Sequence, residues 1–294
     1  MTDYDYLRNL LKTRSGLMLG ADKHYLVESR LLPVVRKAGL NDLAGLVLKL
    51  KSTNAESLIV EVVEAMTTNE TFFFRDRIPF DHFRETIMPA LIAARARERE
   101  RRIRIWCAAA STGQEPYTLA ICLKEMGRML AGWHVEIVAT DISMEALEKA
   151  KSGIYSQFEV QRGLPIMMLV KYFTQVGELW QLTPELRGMV QFKPFNLLSD
   201  LARLGTFDVV FCRNVLIYFD QQTKTDVLDR MARVIAPDGF LALGAAETVV
   251  GLTESFKPFT DKRGIYVPNP KGGKTSGNVI NLATTRAVMA ASGR

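Results

Sequence analysis

From Ile103 onward, short apolar runs alternate with stretches of helical spacing, and this alternation constrains the fold more than any other feature. Continuous apolar runs are typical of parallel strands buried on both faces, and parallel strands need helical crossovers between them. The predicted strands are Ile103–Ala109, Val135–Thr140, Val190–Phe195, Phe207–Cys212 and Phe240–Gly244, and the predicted helices are Glu115–Leu130, Ser143–Lys151 and Thr223–Val234. The sequence therefore predicts a doubly wound α/β sheet.

The remaining segments differ from this pattern. Residues 1–75 have helical spacing and predict a helical N-terminal domain, followed by a linker helix over 76–102 that is kinked at Pro89. The α/β domain is predicted to cover 103–268, with an insertion at 154–188 where Gly and Pro interrupt the alternation. Residues 269–294 are rich in Gly, Lys, Ser, Thr and Asn and predict a disordered tail.

Composition excludes several classes of protein. A hydrophobic fraction of 48% with a net charge of +6 excludes a mostly disordered chain, and three scattered cysteines exclude a disulfide framework. Isolated His and Cys residues predict no metal site. With no apolar run of membrane-spanning length and no signal-like start, we expect a cytoplasmic protein without membrane insertion.

The segment Ala108–Tyr117 passes from a predicted strand through small residues and Gly113 into a helix. Small residues allow close approach of a ligand to the backbone, and the free N–H groups of a helix start can bind an anion. However, Glu115 would repel a pyrophosphate, and the G-x-G-x-x-G pattern of dinucleotide sites is absent. The segment is either a ligand-binding turn or a tight turn packed by alanines.

Two further segments end strands with polar residues. Asp141 follows the second strand, where an acid can bind ribose hydroxyls, although it could instead cap the next helix. Arg213 and Asn214 follow the strand Phe207–Cys212, and Tyr218 comes soon after. Ligands of open α/β sheets bind at the carboxyl ends of strands, so these residues are candidates for a site.

A basic stretch lies in the predicted N-terminal helices. Arg30, Arg36 and Lys37 can share one broad side of a helix. Such a surface is either a solvated helix face or an electrostatic patch for an acidic partner.

These segments, taken in order, resemble the CheR family of bacterial chemotaxis receptor methyltransferases over roughly residues 5–268. The resemblance rests on four motifs: TNETFFFR at 68–75, AAASTGQEPY at 108–117, ATDI at 139–142 and CRNVLIYF at 212–219. It implies a Rossmann-like class I methyltransferase sheet that uses S-adenosylmethionine, an all-α N-terminal domain and a small inserted β-subdomain. The implied reaction methylates glutamate side chains on the cytoplasmic helical bundle of chemoreceptors and leaves S-adenosylhomocysteine, with no metal.

The same resemblance implies roles for individual residues. Arg75 and Tyr218 are expected to act in catalysis, and the basic side chains Arg30, Arg36 and Lys37 to bind the receptor. The expected cofactor-binding residues are Asn69, Thr71, Arg75, Glu115, Asp141, Asn196, Leu197, Arg213 and Asn214. Glu115 suits this cofactor because S-adenosylmethionine carries a sulfonium and an ammonium and no phosphate.

The sequence also departs from the family pattern. Gln114 stands where many members carry a second acid, and the stretch Phe173–Leu186 is short where some members have a longer loop that binds a receptor's C-terminal pentapeptide. We therefore expect receptor recognition without the pentapeptide, by a monomer that binds no nucleic acid. The rival interpretations are a nucleic-acid methyltransferase, given the positive charge, and a binding protein without turnover.

Overall fold

The structure is a computed structural model that describes residues 2–20, 22–96 and 101–270. The predicted disordered tail lies outside the described residues from position 271 onward. The first part of the chain forms four helices: α1 (Asp3–Ser15), α2 (His24–Lys37), α3 (Leu43–Leu50) and α4 (Glu56–Met66). They pack around one apolar core to which each contributes, with Leu11, Leu31, Leu46 and Val62 fully buried.

A helical run connects this bundle to the sheet. It consists of α5 (Ile78–His82), a π-helical turn (Phe83–Ile87) and α6 (Met88–Arg95). Just before Pro89, where a kink is predicted, the turn is wider than in a regular α-helix, because the Met88 N–H donates to the Phe83 carbonyl five residues back. The wider turn precedes a proline, which has no N–H to continue the regular helical pattern.

The rest of the described chain contains ten strands and six α-helices, besides three short 3-10 turns. The strands are β1 (Arg102–Ala108), β2 (His134–Asp141), β3 (Ile154–Ser156), β4 (Phe173–Val176), β5 (Leu179–Leu182), β6 (Val190–Pro194), β7 (Phe207–Cys212), β8 (Ile235–Leu243), β9 (Phe256–Pro258) and β10 (Ile265–Pro268). The helices are α7 (Gln114–Met126), α8 (Met144–Ser152), α9 (Gln157–Gln161), α10 (Ile166–Tyr172), α11 (Pro184–Arg187) and α12 (Gln221–Ala232).

Seven strands form the main sheet in the order β6-β2-β1-β7-β8-β10-β9. The first five of these are mutually parallel, and β10 is antiparallel to both its neighbours. The predicted doubly wound α/β sheet is confirmed. The strand order reverses between β1 and β7, the place where such sheets bind ligands.

Two features of the sheet were not predicted. The hairpin of β9 and β10 is short, and strands of three or four residues carry too little periodicity to be recognised. Strand β8 begins at Ile235 and not at Phe240, because its first residues form a bulge. Phe207 pairs with Ile235 and Val209 already pairs with Phe240, so a single residue of β7 lies opposite four residues of β8. Those four include Pro237 and Gly239, two residue types that are common at bulges.

The predicted insertion contains a second sheet of three antiparallel strands, in the order β3-β5-β4. Tyr155 and Phe173 pack edge-on against Phe73, with ring centroids 5.1 and 5.6 Å from it. The inserted β-subdomain is therefore held against the segment that joins the helical bundle to the sheet. Within the described residues, every helix is too short or too polar to cross a bilayer.

Candidate active site

A cleft with an empty volume of about 940 Å³ lies at the carboxyl ends of β1, β2 and β7. Three parts of the chain line it: the end of α1 with the residues after it, the segment 67–75, and the loops that follow the strands. The cleft therefore lies at the reversal of strand order and is closed on one side by the helical bundle.

The turn between β1 and α7 forms the floor of the cleft. Ala109, Ser111 and Gly113 all have positive φ, at 62°, 51° and 92°. A Cβ on Gly113 would lie 2.9 Å from the Cβ of Ala150, so this position needs glycine for space as well as for conformation. The turn directs the start of α7, with Glu115, into the protein interior.

Asp141 is the last residue of β2 and only 5% exposed. Its two carboxylate oxygens accept hydrogen bonds from the backbone N–H groups of Ser111 (2.7 Å) and Ser143 (2.9 Å). Burial raises the pKa of this carboxyl, and the backbone N–H donors oppose the rise. The acid is thus fixed at the cleft by two loops, and no cationic side chain in the described part of the chain is bonded to it.

Glu115 is held in a different way. Its carboxylate accepts a hydrogen bond from Nη1 of Arg213 at 2.8 Å, and the Arg213 side chain is only 1% exposed. Nη2 of Arg213 donates to the backbone carbonyl of Arg75 (2.9 Å) and to the carboxylate of Asp76 (2.8 Å). Burial raises the pKa of Glu115, and the charge and hydrogen bond of Arg213 counteract it. One arginine thus joins α7, β7 and the segment before α5.

The segment 67–75 forms one wall. The backbone carbonyl of Asn69 accepts a hydrogen bond from the Ser111 hydroxyl at 2.8 Å, and Arg75 donates to the backbone carbonyl of Glu70 at 2.8 Å. Thr71 also lines the cleft. This wall is therefore bonded directly to the floor.

The opposite wall is tied to the end of α1. The Asn196 amide donates to the backbone carbonyl of Arg14 at 2.6 Å, and the Met18 N–H donates to the carbonyl of Tyr218 at 2.8 Å. Ser15 and Leu17 thereby reach the cleft. They were missed because no local motif marks them; only the packing of two distant segments brings them there. Ser111 was inside a recognised motif but was not singled out.

The structure brings all the predicted cofactor and catalytic residues together. The residues that line the cleft include Asn69, Thr71, Arg75, Glu115, Asp141, Asn196, Leu197, Arg213, Asn214 and Tyr218.

The three predicted receptor-binding residues lie outside the cleft. The Arg30 guanidinium donates to the carbonyls of Met66 (2.7 Å) and Thr67 (3.0 Å), so it holds the end of α4. Lys37 pairs with Glu61 at 3.0 Å, and Arg36 is exposed.

The charged side chains that line the cleft suit a ligand that carries positive charge and hydroxyl groups. Three acids line the cleft, Glu70, Glu115 and Asp141, against the two arginines Arg75 and Arg213. Glu70 is paired with Arg162 and Glu115 with Arg213, so among the described residues Asp141 is the lining acid that has no cationic partner. Such a lining disfavours phosphates and suits S-adenosylmethionine. Among the described residues, no three His, Cys, Asp or Glu side chains are grouped so that they could hold a metal ion.

Comparison with known proteins agrees with this chemistry. Residues 69–265 match the family model described as CheR methyltransferase, SAM binding domain, and residues 2–67 match the CheR methyltransferase, all-alpha domain.

The curated relatives share most of their length with the chain. It is 41% identical to chemotaxis protein methyltransferase 1 of Pseudomonas aeruginosa, over 87% of this chain and 93% of that relative. It is 40% identical to chemotaxis protein methyltransferase 1 of Vibrio cholerae, over 86% of this chain and 91% of the relative. The Escherichia coli chemotaxis protein methyltransferase is 37% identical, over 85% of both chains. The chain belongs to the CheR family of methyltransferases, which have a domain that binds S-adenosylmethionine.

Proposed function

We propose that this chain transfers a methyl group from S-adenosylmethionine to glutamate side chains of chemoreceptors. The observation that carries the proposal is the cleft lining, where Glu115 and Asp141 lie together with Arg75 and Tyr218. The names of the relatives, chemotaxis protein methyltransferases, support a role in chemotaxis. The products would be a glutamate methyl ester and S-adenosylhomocysteine.

The buried acids would hold the cofactor. Asp141 can accept hydrogen bonds from the ribose hydroxyls, because each carboxylate oxygen has lone pairs beyond the one used by a backbone N–H. Glu115 would attract the ammonium of the methionine end. Asn196 and Leu197 would lie beside the adenine, and Asn69, Thr71 and Asn214 would complete the lining.

Bound S-adenosylmethionine supplies an electrophilic methyl group on a sulfonium. The substrate glutamate is already ionised at pH 7, so the protein needs no general base. Arg75 orients the incoming carboxylate with its guanidinium fork, and Tyr218 positions the reacting groups with its hydroxyl. Catalysis is then mainly alignment of the reacting atoms at about 3–3.5 Å in a cleft from which water is excluded.

Recognition of the receptor involves the basic surface of α2. Arg36 is exposed and Lys37 has a side chain that is 73% exposed, so both can meet an acidic partner. Arg30 is a weaker candidate because its guanidinium bonds α4. The turn between β4 and β5 holds only Gly177 and Glu178, which supports recognition that does not depend on a receptor pentapeptide.

The test is transfer of radiolabelled methyl groups to purified receptor cytoplasmic fragments, with and without their last five residues. We expect base-labile label on both fragments at similar rates, and loss of label when the methylated glutamates are replaced by alanine. Label on neither fragment, or label that resists base, would contradict the proposal. A reaction restricted to the intact fragment would contradict pentapeptide independence alone.

Two variants test the roles proposed for Arg75 and Arg36. Arg75→Ala is expected to slow turnover with the receptor, and Arg36→Glu to raise the KM for the receptor without changing the affinity for S-adenosylhomocysteine. Lys151→Glu, a charge reversal at an exposed residue of α8 that pairs with Glu148 away from the α2 surface, is the matched control for folding.

A further inference from the structure

Glu247, which does not line the cleft, has an unusual set of hydrogen bonds. Its Oε2 accepts from the backbone N–H groups of Asn214 and Gly244, each at 2.8 Å. Its Oε1 accepts from those of Val215 (3.0 Å) and Leu216 (2.8 Å). One carboxylate thus satisfies four backbone donors from two separate segments.

Three of the four donors belong to the loop that carries part of the candidate active site. Arg213, Asn214 and Tyr218 all line the cleft, and the N–H groups of residues 214–216, which Glu247 bonds, lie in the same loop. Asn214 has φ of 59°, a left-handed conformation that asparagine tolerates better than most L-residues and that surrounding contacts can stabilise. The carboxylate of Glu247 provides such contacts at that residue and at the next two.

Gly244 provides independent support. It does not have positive φ, so its conformation does not require glycine. A Cβ there would lie 2.6 Å from Oε2 of Glu247 and 3.0 Å from the Asn214 nitrogen. The absence of a side chain at the end of β8 is what allows the carboxylate to reach the loop.

From these contacts we infer that Glu247 is a positioning residue for methyl transfer, which fixes the loop 213–218 in the conformation that binds the cofactor. This inference rests on the proposed function. The role does not involve contact with the cofactor or with the receptor. It consists of holding Arg213, Asn214 and Tyr218 in a fixed position relative to the turn between β1 and α7, which forms the floor of the cleft.

The direct test is Glu247→Gln in the full chain. An amide keeps one acceptor oxygen and places an NH₂ group against two backbone N–H groups, so two of the four bonds are lost. We expect faster hydrogen–deuterium exchange confined to residues 214–216 and 244. We also expect binding of S-adenosylhomocysteine to weaken about tenfold or more, since unsatisfied donors favour another loop conformation.

Asp208→Asn is the matched control, because Asp208 lies near the other end of β7. Its carboxylate accepts a hydrogen bond from the Arg104 N–H at 2.6 Å and pairs with Arg95. This variant should lower the melting temperature but leave ligand affinity and exchange at 214–216 unchanged. A merely structural role for Glu247 would give the same result in both variants.

A second variant covers the case in which Glu247→Gln does not fold. Gly244→Ala retains the glutamate but pushes its carboxylate away from the loop, and should give the same localised exchange and weaker binding. Unchanged exchange and affinity within twofold in the folded variants would overturn the inference. A parent protein that binds no S-adenosylhomocysteine would contradict the proposed function, while the exchange data would still test the contacts of Glu247.

Discussion

Glu115 and Asp141 are both buried acids at the cleft, yet they are stabilised by different partners. Glu115 receives a hydrogen bond from the side chain of Arg213, a buried cation that also pairs with Asp76. Asp141 receives hydrogen bonds from backbone N–H groups of Ser111 and Ser143. Burial raises the pKa of both carboxyls, and in each case the partner opposes that rise.

The difference determines what a substitution leaves behind. Removing Arg213 leaves two acids without their cation, one of them deeply buried, and this is costly. Removing the Asp141 carboxylate leaves only two neutral N–H donors, which is a smaller penalty. The Glu115 region should therefore be decisive for stability, and Asp141 for binding of the cofactor.

The largest effect is expected for Arg213→Met. Loss of the guanidinium should lower the free energy of unfolding by about 3–5 kcal/mol, because Glu115 remains buried and unpaired. Urea denaturation followed by circular dichroism measures this. Arg102→Met is the control, since Arg102 pairs with Glu136 but its side chain is 51% exposed. That change should cost less than about 1 kcal/mol. Equal losses in the two variants would contradict the comparison.

The next effect concerns binding, and it should be carried by Asp141. Asp141→Ala is expected to weaken S-adenosylhomocysteine binding about tenfold or more, through lost hydrogen bonds to the ribose. Calorimetric titration of the parent and the variant checks this. Asp42→Ala removes the cap of α3, far from the cleft, and should reduce stability without changing affinity. Binding that is unchanged in Asp141→Ala would refute the ribose role.

A third prediction uses the direction of the pKa shift of Glu115. The folded-state pKa is raised above the unfolded value, so the contribution of this group to stability is greatest below the unfolded pKa and is lost as pH rises through the folded pKa. Relative to Glu115→Gln, the parent should therefore lose stability as the pH rises across that window. Affinity for the cofactor should change in the opposite direction, because the ammonium binds the ionised acid.

Denaturation and titration at several pH values separate these two trends. Subtracting the profile of Glu115→Gln from that of the parent isolates Glu115 from the other acids. If stability depends on pH in the same way in the parent and in Glu115→Gln, the pKa of Glu115 does not differ between the folded and the unfolded protein.

The sheet could be predicted because its central strands are buried on both faces. All six residues of β7 are buried, and the run ends abruptly at Arg213, so both the strand and its polar end are visible in the sequence. Residues at the ends of neighbouring parallel strands meet at one edge, which is why separate motifs predicted one cleft. The inserted sheet was expected only from the family resemblance.

The contacts that orient the site residues could not be predicted. Arg30 looked like part of a basic surface, but its guanidinium caps α4, a partner 36 residues away in the sequence. Similarly, nothing local indicates that the acid pairing with Arg213 is Glu115, 98 residues apart. Such pairings depend on tertiary packing, and periodicity and motif spacing contain no information about them.

The smallest effect is expected at the surface, where Lys12 of α1 pairs with Asp220 at 2.7 Å. Hydrogen bonds from Lys12 and Thr223 lower the pKa of Asp220 to about 2. The Lys12 side chain is 49% exposed, so this pair, unlike Glu115 with Arg213, is screened by water. Lys12→Ala should cost less than about 1 kcal/mol near neutral pH.

Because the folded pKa of Asp220 is lowered, its contribution to stability is present above the unfolded pKa and is lost as the pH falls toward 2. Lys12→Ala should raise the pKa of Asp220, measured by NMR titration of its carboxyl carbon. The variant should therefore lose less stability than the parent as the pH falls. Affinity for S-adenosylhomocysteine should stay within twofold. A large loss of affinity would mean that this exposed pair between α1 and α12 helps to hold the cleft closed, and that burial alone does not decide which carboxylate–cation pairs matter for the site.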